Sequence, residues 1–229
     1  MLRTRLGRVD TVLAALDRHR PDVAAHSRRV ATYAVRLASQ YGLDRDTIET
    51  VRVGALLHDV GKLLVPARIL EKPRRPNARE WEQLRVHPVL GMEIAHRAGF
   101  DDEVGTMILY HHERFDGTGY PDGLKRTVIP FTARLVGVMD AFDALTSQRD
   151  YRDRLSVAAA RQMIAADAGT KFCPWIVSGL LALPPEMMTP PPGLEAIDRG
   201  QPGFDDVTPP ERLADPWVLS LAASAVSLS

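Results

Sequence analysis

The sequence predicts an all-α protein followed by an irregular, proline-rich C-terminal extension. Three observations carry this reading. Apolar residues recur at helical spacing up to Leu183, alternating strand-like runs are nearly absent, and the composition changes abruptly after that point. Residues 1–20 read as a helical lead-in and 21–183 as one helical domain. Residues 184–229 read as a Pro-rich tail, irregular or disordered, with docking onto the domain left open.

Pro21 suits the first turn of a helix in which Val23, Val30, Tyr33, Leu37 and Tyr41 keep one apolar face, and Gly42 supplies a stop. Asp46 and Glu49 have capping-box spacing ahead of a helix that buries Ile48, Val51, Ala55 and Leu56. Asn77 and Glu80 repeat that spacing before Trp81 and Leu84. Pro88 starts a helix that Gly99 ends. Further helices are predicted over 102–112, 130–146, 156–168 and 174–183, with a Gly-, Pro- and Asp-rich loop over 113–127. The tail, PPEMMTPPPGLEAIDRGQPGFDDVTPPERLADP onward, shows no sustained periodicity and cannot easily offset its ordering entropy; a short helix is predicted near 217–226.

Composition excludes several classes. The chain of 229 residues balances 29 basic against 29 acidic side chains, which gives no global reason to expect DNA, RNA or an anionic membrane as partner. One cysteine, Cys173, rules out an internal disulfide framework and a Cys-rich zinc site, and reads as a small buried hydrophobe. The N-terminus lacks the apolar core of a secretory signal, and the apolar stretches fall short of the roughly 20 residues that span a bilayer. A cytoplasmic protein is expected.

The seven histidines stand at 19, 26, 58, 87, 96, 111 and 112. A single helical His is usually a hydrogen-bonded core or surface residue. Here, however, His58-Asp59 and His111-His112 each end an apolar helix, His87 precedes Pro88, and Asp140 interrupts the apolar run RLVGVMDAF. Metal-competent groups thus lie on faces that the periodicity buries, where a divalent cation would satisfy several at once. Nitrogen and carboxylate donors without thiolate suit iron, manganese or zinc better than calcium. One Asp shared by two ions would be the natural bridge of a dinuclear centre, the arrangement used to hydrolyse phosphate esters. Spacing alone names no substrate.

Taken together, HSRRV at 26–30, HDVGK at 58–62, HP at 87–88, HHERFDGTGYP at 111–121 and DAFDALTSQRDYR at 140–152 resemble the HD-GYP family. These are HD-superfamily phosphohydrolases acting on the bacterial second messenger cyclic di-GMP. The resemblance covers about residues 20–180 and implies an HD-domain helical bundle of HD-GYP type. It also implies a dinuclear or trinuclear centre, of Fe or Mn. By matching motif, His58, Asp59, His87, His111, His112 and Asp140 would be ligands, with Asp59 bridging and catalytic. His26 matches an upstream His that joins a third metal. The residue four before it is Glu in trinuclear members and Asp22 here, which could co-ligate at i, i+4 or serve only the helix dipole.

The resemblance further makes Lys62 a catalytic and substrate-binding group, and Arg149 and Arg152 contacts to the substrate phosphates. Glu113 and Asp143 would orient ligands or act as local caps. The Gly-Tyr-Pro loop would be scaffold beside the site. His19 and His96 match nothing. The family's Gly-Thr-His-Phe-Asp-Pro stretch is GTKFCPW at 169–175, so Lys171 and Cys173 are expected to alter local packing or capping while activity is retained. With only some twenty residues ahead of the core, regulation is expected from partners, metal loading or the tail.

The implied reaction is metal-assisted in-line hydrolysis of cyclic di-GMP to pGpG, with further cleavage to GMP if a third metal is present. Partners implied are cyclic di-GMP and signalling proteins such as diguanylate cyclases, with a homodimer open. The alternatives are a non-catalytic module binding the nucleotide or a cyclase, and an HD phosphohydrolase for another nucleotide.

Overall fold

Helix borders follow from capping chemistry. In the computed structural model, which describes residues 2–70, 76–147 and 154–190, Asn77 and Glu80 form the expected capping box at the start of α5 (Ala78–Leu84). The start of α3 (Arg45–Leu57) differs from expectation. Asp44 is its cap, with extended backbone and a carboxylate that accepts from the amides of Asp46 at 3.0 Å and Thr47 at 2.9 Å. A cap needs a non-helical backbone, and Asp46 is already inside the first turn, where it still complements the helix dipole. Glu49 pairs instead with Arg52.

The remaining helices are α1 (Leu2–His19), α2 (Pro21–Gln40), α4 (Ala67–Leu70), α6 (His87–Arg97), α7 (Asp102–Tyr110), α8 (Phe131–Thr146), α9 (Val157–Ala166) and α10 (Pro174–Ala182). A 3-10 turn, Val60–Leu64, follows α3. Gly42 and Gly99 end α2 and α6 with φ of +67° and +77°, a region that glycine enters without penalty. Among the described residues there is no strand, only an isolated bridge between Ala168 and Phe172. No described helix is long and apolar enough to cross a membrane.

The core forms around α2, which packs against α1, α3 and α8, while α6 and α7 pack together and close the other side against α3 and the 3-10 turn. Tyr33, Leu37, Leu57, Met107, Leu135 and Phe142 are fully buried there, and the Tyr33 and Phe142 rings meet edge-to-face at 5.4 Å. Packing extends past both borders expected at 20 and 183. Val9, Val12 and Leu16 of α1 belong to the same core. Met188, in a 3-10 turn over Pro185–Met188, is buried, and Arg36 donates to the carbonyls of Met187 and Thr189. The helix expected near 217–226 lies outside the described residues.

Lys171 pairs with Asp167 at 2.5 Å, and its carbonyl accepts the amide of Phe115. Cys173 is buried at the start of α10, and its sulfur receives Arg134 Nη1 at 3.1 Å. The GTKFCPW turn therefore braces the loop that follows α7.

Candidate metal centre

Three histidines are aimed by the same local device. His58 and His111 cap the C-termini of α3 and α7, and His87 follows the end of α5. The ring Nδ1 of each lies against the carbonyl of the residue three earlier: His58 on Ala55 at 2.8 Å, His87 on Leu84 at 2.7 Å, His111 on Ile108 at 2.6 Å. A carbonyl can only accept, so Nδ1 carries the proton and Nε2 presents its lone pair inward. Leu84 is a telling case, because the residue four later is Pro88, which has no N–H to offer that carbonyl.

The inward atoms converge as two adjoining donor groups, Asp59 with His87, His111 and His112, and His26 with His58 and Asp140; within each group the ligand atoms lie within 4.8 Å of one another. Asp59 lies between them. Its Oδ1 is 3.2 Å from His87 Nε2 and 4.0 Å from His111 Nε2, whereas Oδ2 is 3.5 Å from His58 Nε2 and 3.7 Å from His26 Nε2. Asp140 spans the groups likewise, with Oδ1 3.1 Å from His26 Nε2 and Oδ2 4.0 Å from His112 Nδ1. Lys62 Nζ lies 2.5 Å from Asp59 Oδ2.

These residues fit divalent cations. Nε2 of His58, His87 and His111 and Oδ1 of Asp59 are buried, and none has a hydrogen-bond partner. Each such buried group costs about 1–3 kcal/mol, and four converging lone-pair atoms are what a cation would satisfy. Protonation states agree. Burial pushes His58 down, pushes His111 well below the usual imidazole range, and with the neighbouring His87 takes His112 down to about 3. Burial would raise the carboxyls of Asp59 and Asp140. The Lys62 ammonium and the His87 ring at Asp59, and the protonated His26 at Asp140, hold both well below the carboxylate range instead. Neutral imidazoles beside ionised carboxylates are the ligand forms a cation requires.

His26 behaves differently. Burial opposes its protonation, yet Asp140 and Asp143 raise it to about 9, so a cation at its Nε2 must displace a proton. Its Nδ1 is fixed by Asp143 at 2.7 Å, and Asp143 is in turn gripped by Arg29 at 2.8 and 3.0 Å. Asp143 thus holds the ring of a candidate donor in place, whereas Glu113 accepts the amides of Asp122 at 2.8 Å and Gly123 at 2.9 Å and braces the Gly-Tyr-Pro loop. Arg29 was not anticipated; its signal was a position three residues after His26 on a helix whose neighbours are buried.

The other expected site residues divide. Asp22 stands outside both donor groups, its carboxylate held by Arg20 at 2.6 and 3.1 Å. Arg149 and Arg152 lie outside the described residues. The Tyr120 ring lies 4.9 Å from the His112 ring, which places the Gly-Tyr-Pro loop beside the site. An open cavity of about 410 Å³ runs from His112 and Asp140 past Tyr120, with Trp81 and Arg85 on its wall. Neither of the latter was singled out from the sequence as a site residue.

Fold and donor set define a helical protein with two carboxylate-linked His/Asp groups, of which His111, His112 and Asp140 line the cavity. The model of the HD domain matches residues 10–176, and the chain belongs to that family. Its relatives include the cyclic di-GMP phosphodiesterase response regulator RpfG of Xanthomonas campestris, 38% identical over 69% of this chain and 42% of that protein. A cyclic di-GMP phosphodiesterase of Thermotoga maritima is 35% identical over 71% of this chain and 45% of that one. A 3'3'-cGAMP-specific phosphodiesterase of Vibrio cholerae is 36% identical over 73% of this chain and 32% of its own length. The chain thus spans less than half the length of these curated relatives. Among solved structures, an HDG"Y"P protein from Bdellovibrio bacteriovorus superposes with a TM-score of 0.58 at 26% identity, over 69% of this chain and 51% of that one.

Proposed function

We propose that this chain is a metal-dependent phosphodiesterase that hydrolyses cyclic di-GMP to linear pGpG. The observation that carries the proposal is the pair of donor groups linked through Asp59 and Asp140, with orphaned buried lone pairs facing inward. The names of the relatives supply the substrate class. Asp59, His87, His111 and His112 would hold one cation, and His26, His58 and Asp140, with the second oxygen of Asp59, the other. Fe or Mn matches a nitrogen and carboxylate set without thiolate. Two such cations, when bound, supply Lewis-acid activation of water and of a phosphoryl group.

The chain's own residues do the rest. Lys62 beside Asp59 places a positive charge where the phosphoryl oxygens must come, and Arg149 and Arg152 are proposed as further phosphate contacts. Asp143, clamped by Arg29, keeps the His26 ring in register. Arg20 engages the carboxylate of Asp22, which favours two cations over three and a reaction that stops at pGpG. The response-regulator name of one relative supports a signalling role; a cytoplasmic location, and diguanylate cyclases or a second copy as protein partners, belong to the same proposal.

The test is hydrolysis of cyclic di-GMP by protein purified without oxygen and loaded with Fe(II) or Mn(II), with products resolved by chromatography. pGpG that disappears on chelation is the expected result. No product from a sample shown to hold two cations per chain would refute the reading.

A further inference from the structure

Helix α5 buries none of its residues. A short helix without an apolar face on the core lacks the usual reason to form, since most helical stability in proteins comes from tertiary packing. It is nevertheless tied firmly at its C-terminal end, where the Leu84 carbonyl holds the ring of the donor His87 at 2.7 Å. What α5 presents, one turn apart, is Trp81, 45% exposed, and Arg85. Both face the cavity that reaches His112 and Asp140. The Arg85 guanidinium lies over the Tyr120 ring, 4.7 Å from its centroid, and Tyr120 lies in turn against His112 at 4.9 Å. A series of planar groups therefore leads outward from the donor set, ending at an exposed indole.

Solvated surface residues would explain Trp81 or Arg85 singly. They do not explain a cation fixed over an aromatic ring beside an indole on the wall of the same cavity. We propose that Trp81 and Arg85 form the subsite for one guanine base of the cyclic dinucleotide, an assignment that rests on the phosphodiesterase reading above. The indole face stacks on the base, as aromatic side chains do with unpaired nucleobases. The guanidinium, positioned by Tyr120, donates to the O6 and N7 acceptors of guanine. Adenine presents an amino donor in place of O6, so the same fork disfavours it.

The test uses the metal-loaded full chain. Trp81→Ala should lower kcat/KM for cyclic di-GMP relative to that for bis(p-nitrophenyl) phosphate, a diester without a base, by about tenfold, mainly through KM, and Trp81→Phe should recover most of it. Arg85→Ala should reduce the preference for cyclic di-GMP over cyclic di-AMP by about tenfold. Ratios unchanged in both variants overturn the proposal. A second measurement stands apart from turnover of the cyclic dinucleotide: GMP should quench the tryptophan fluorescence of the wild type, and Trp81→Phe should lose that quench. An equal quench in the variant, or none in the wild type, also overturns the subsite. A wild type that cleaves only the base-free diester refutes the cyclic di-GMP reading instead, and the quench then decides the subsite independently.

Discussion

Replacing Arg29 by Met removes the guanidinium that grips Asp143 through two hydrogen bonds, at 2.8 and 3.0 Å, in a place where both side chains are at most 3% exposed. The carboxylate cannot move to water, and it is left with the His26 ring at 2.7 Å and Ser147 Oγ at 3.2 Å. Breaking a buried pair by deleting one partner costs about 3–5 kcal/mol. For a domain of this size each kcal/mol corresponds to about 2–4 °C, so Tm should fall by roughly 6–20 °C. The double variant Arg29→Met with Asp143→Leu removes both charges. It should be more stable than Arg29→Met alone, despite the lost partner of His26 Nδ1. Metal binding should separate from stability. Without Asp143 the His26 ring has no fixed orientation, and Mn(II) affinity should fall roughly 10–100-fold in the double variant. Thermal unfolding with chelator, paired with calorimetric Mn(II) titration, measures both quantities. A double variant no more stable than Arg29→Met, or one that binds Mn(II) as the wild type does, would refute the reasoning.

Asp59→Ala or His58→Ala should abolish metal retention and turnover together, measured by elemental analysis and product formation; wild-type rates in the Asp59 variant would end the two-cation proposal. Lys62→Ala should keep both cations and lose kcat by about 10²-fold or more if it acts on the phosphoryl charge, as single electrostatic donors do. Asp22→Ala should leave the metal content at two per chain, since Arg20 holds that carboxylate; a fall in metal content would make Asp22 a ligand. Gly61→Ala would put a Cβ 1.9 Å from the His87 carbonyl oxygen and 2.7 Å from the Gly91 amide, both backbone atoms, so Tm should fall by the equivalent of about 1–3 kcal/mol or more and metal affinity with it.

Much of this arrangement was legible in the sequence, for a physical reason. His58, His111 and Asp140 stand out because each breaks an apolar helical face, and buried polar groups need partners. The helices around them were legible through Pro21, Asn77, Pro88 and Gly99, whose backbone chemistry is local. What was missed is not local. Asp44 takes the cap expected of Asp46 because the choice depends on which residue leaves the helical backbone. Arg20 takes Asp22 through a side-chain geometry at the junction of α1 and α2, and Arg29 meets Asp143 across 114 residues. Arg85 over Tyr120 joins two segments whose spacing carries no periodic signal at all. The helical lead-in gave no hint that Val9, Val12 and Leu16 close the same core.

The use of helix ends explains why an all-α scaffold builds this centre. The last carbonyls of a helix lack intrahelical donors and carry its negative partial charge. At the ends of α3, α5 and α7 those carbonyls accept from the Nδ1 of His58, His87 and His111, so one hydrogen bond satisfies the helix terminus and selects the ring tautomer. The termini of α3 and α7, where His58 and His111 are the caps themselves, also bring negative dipole ends toward the place where cations would bind. Close approach is then the remaining requirement, and two glycines meet it. A Cβ on Gly61 or Gly137 would strike the carbonyl oxygen of His87 or His111, at 1.9 and 2.5 Å. The small residue lets the 3-10 turn lie against α6, and α8 against the end of α7. Asp59 and Asp140, carried by those two segments, are thereby placed between the imidazoles of both donor groups.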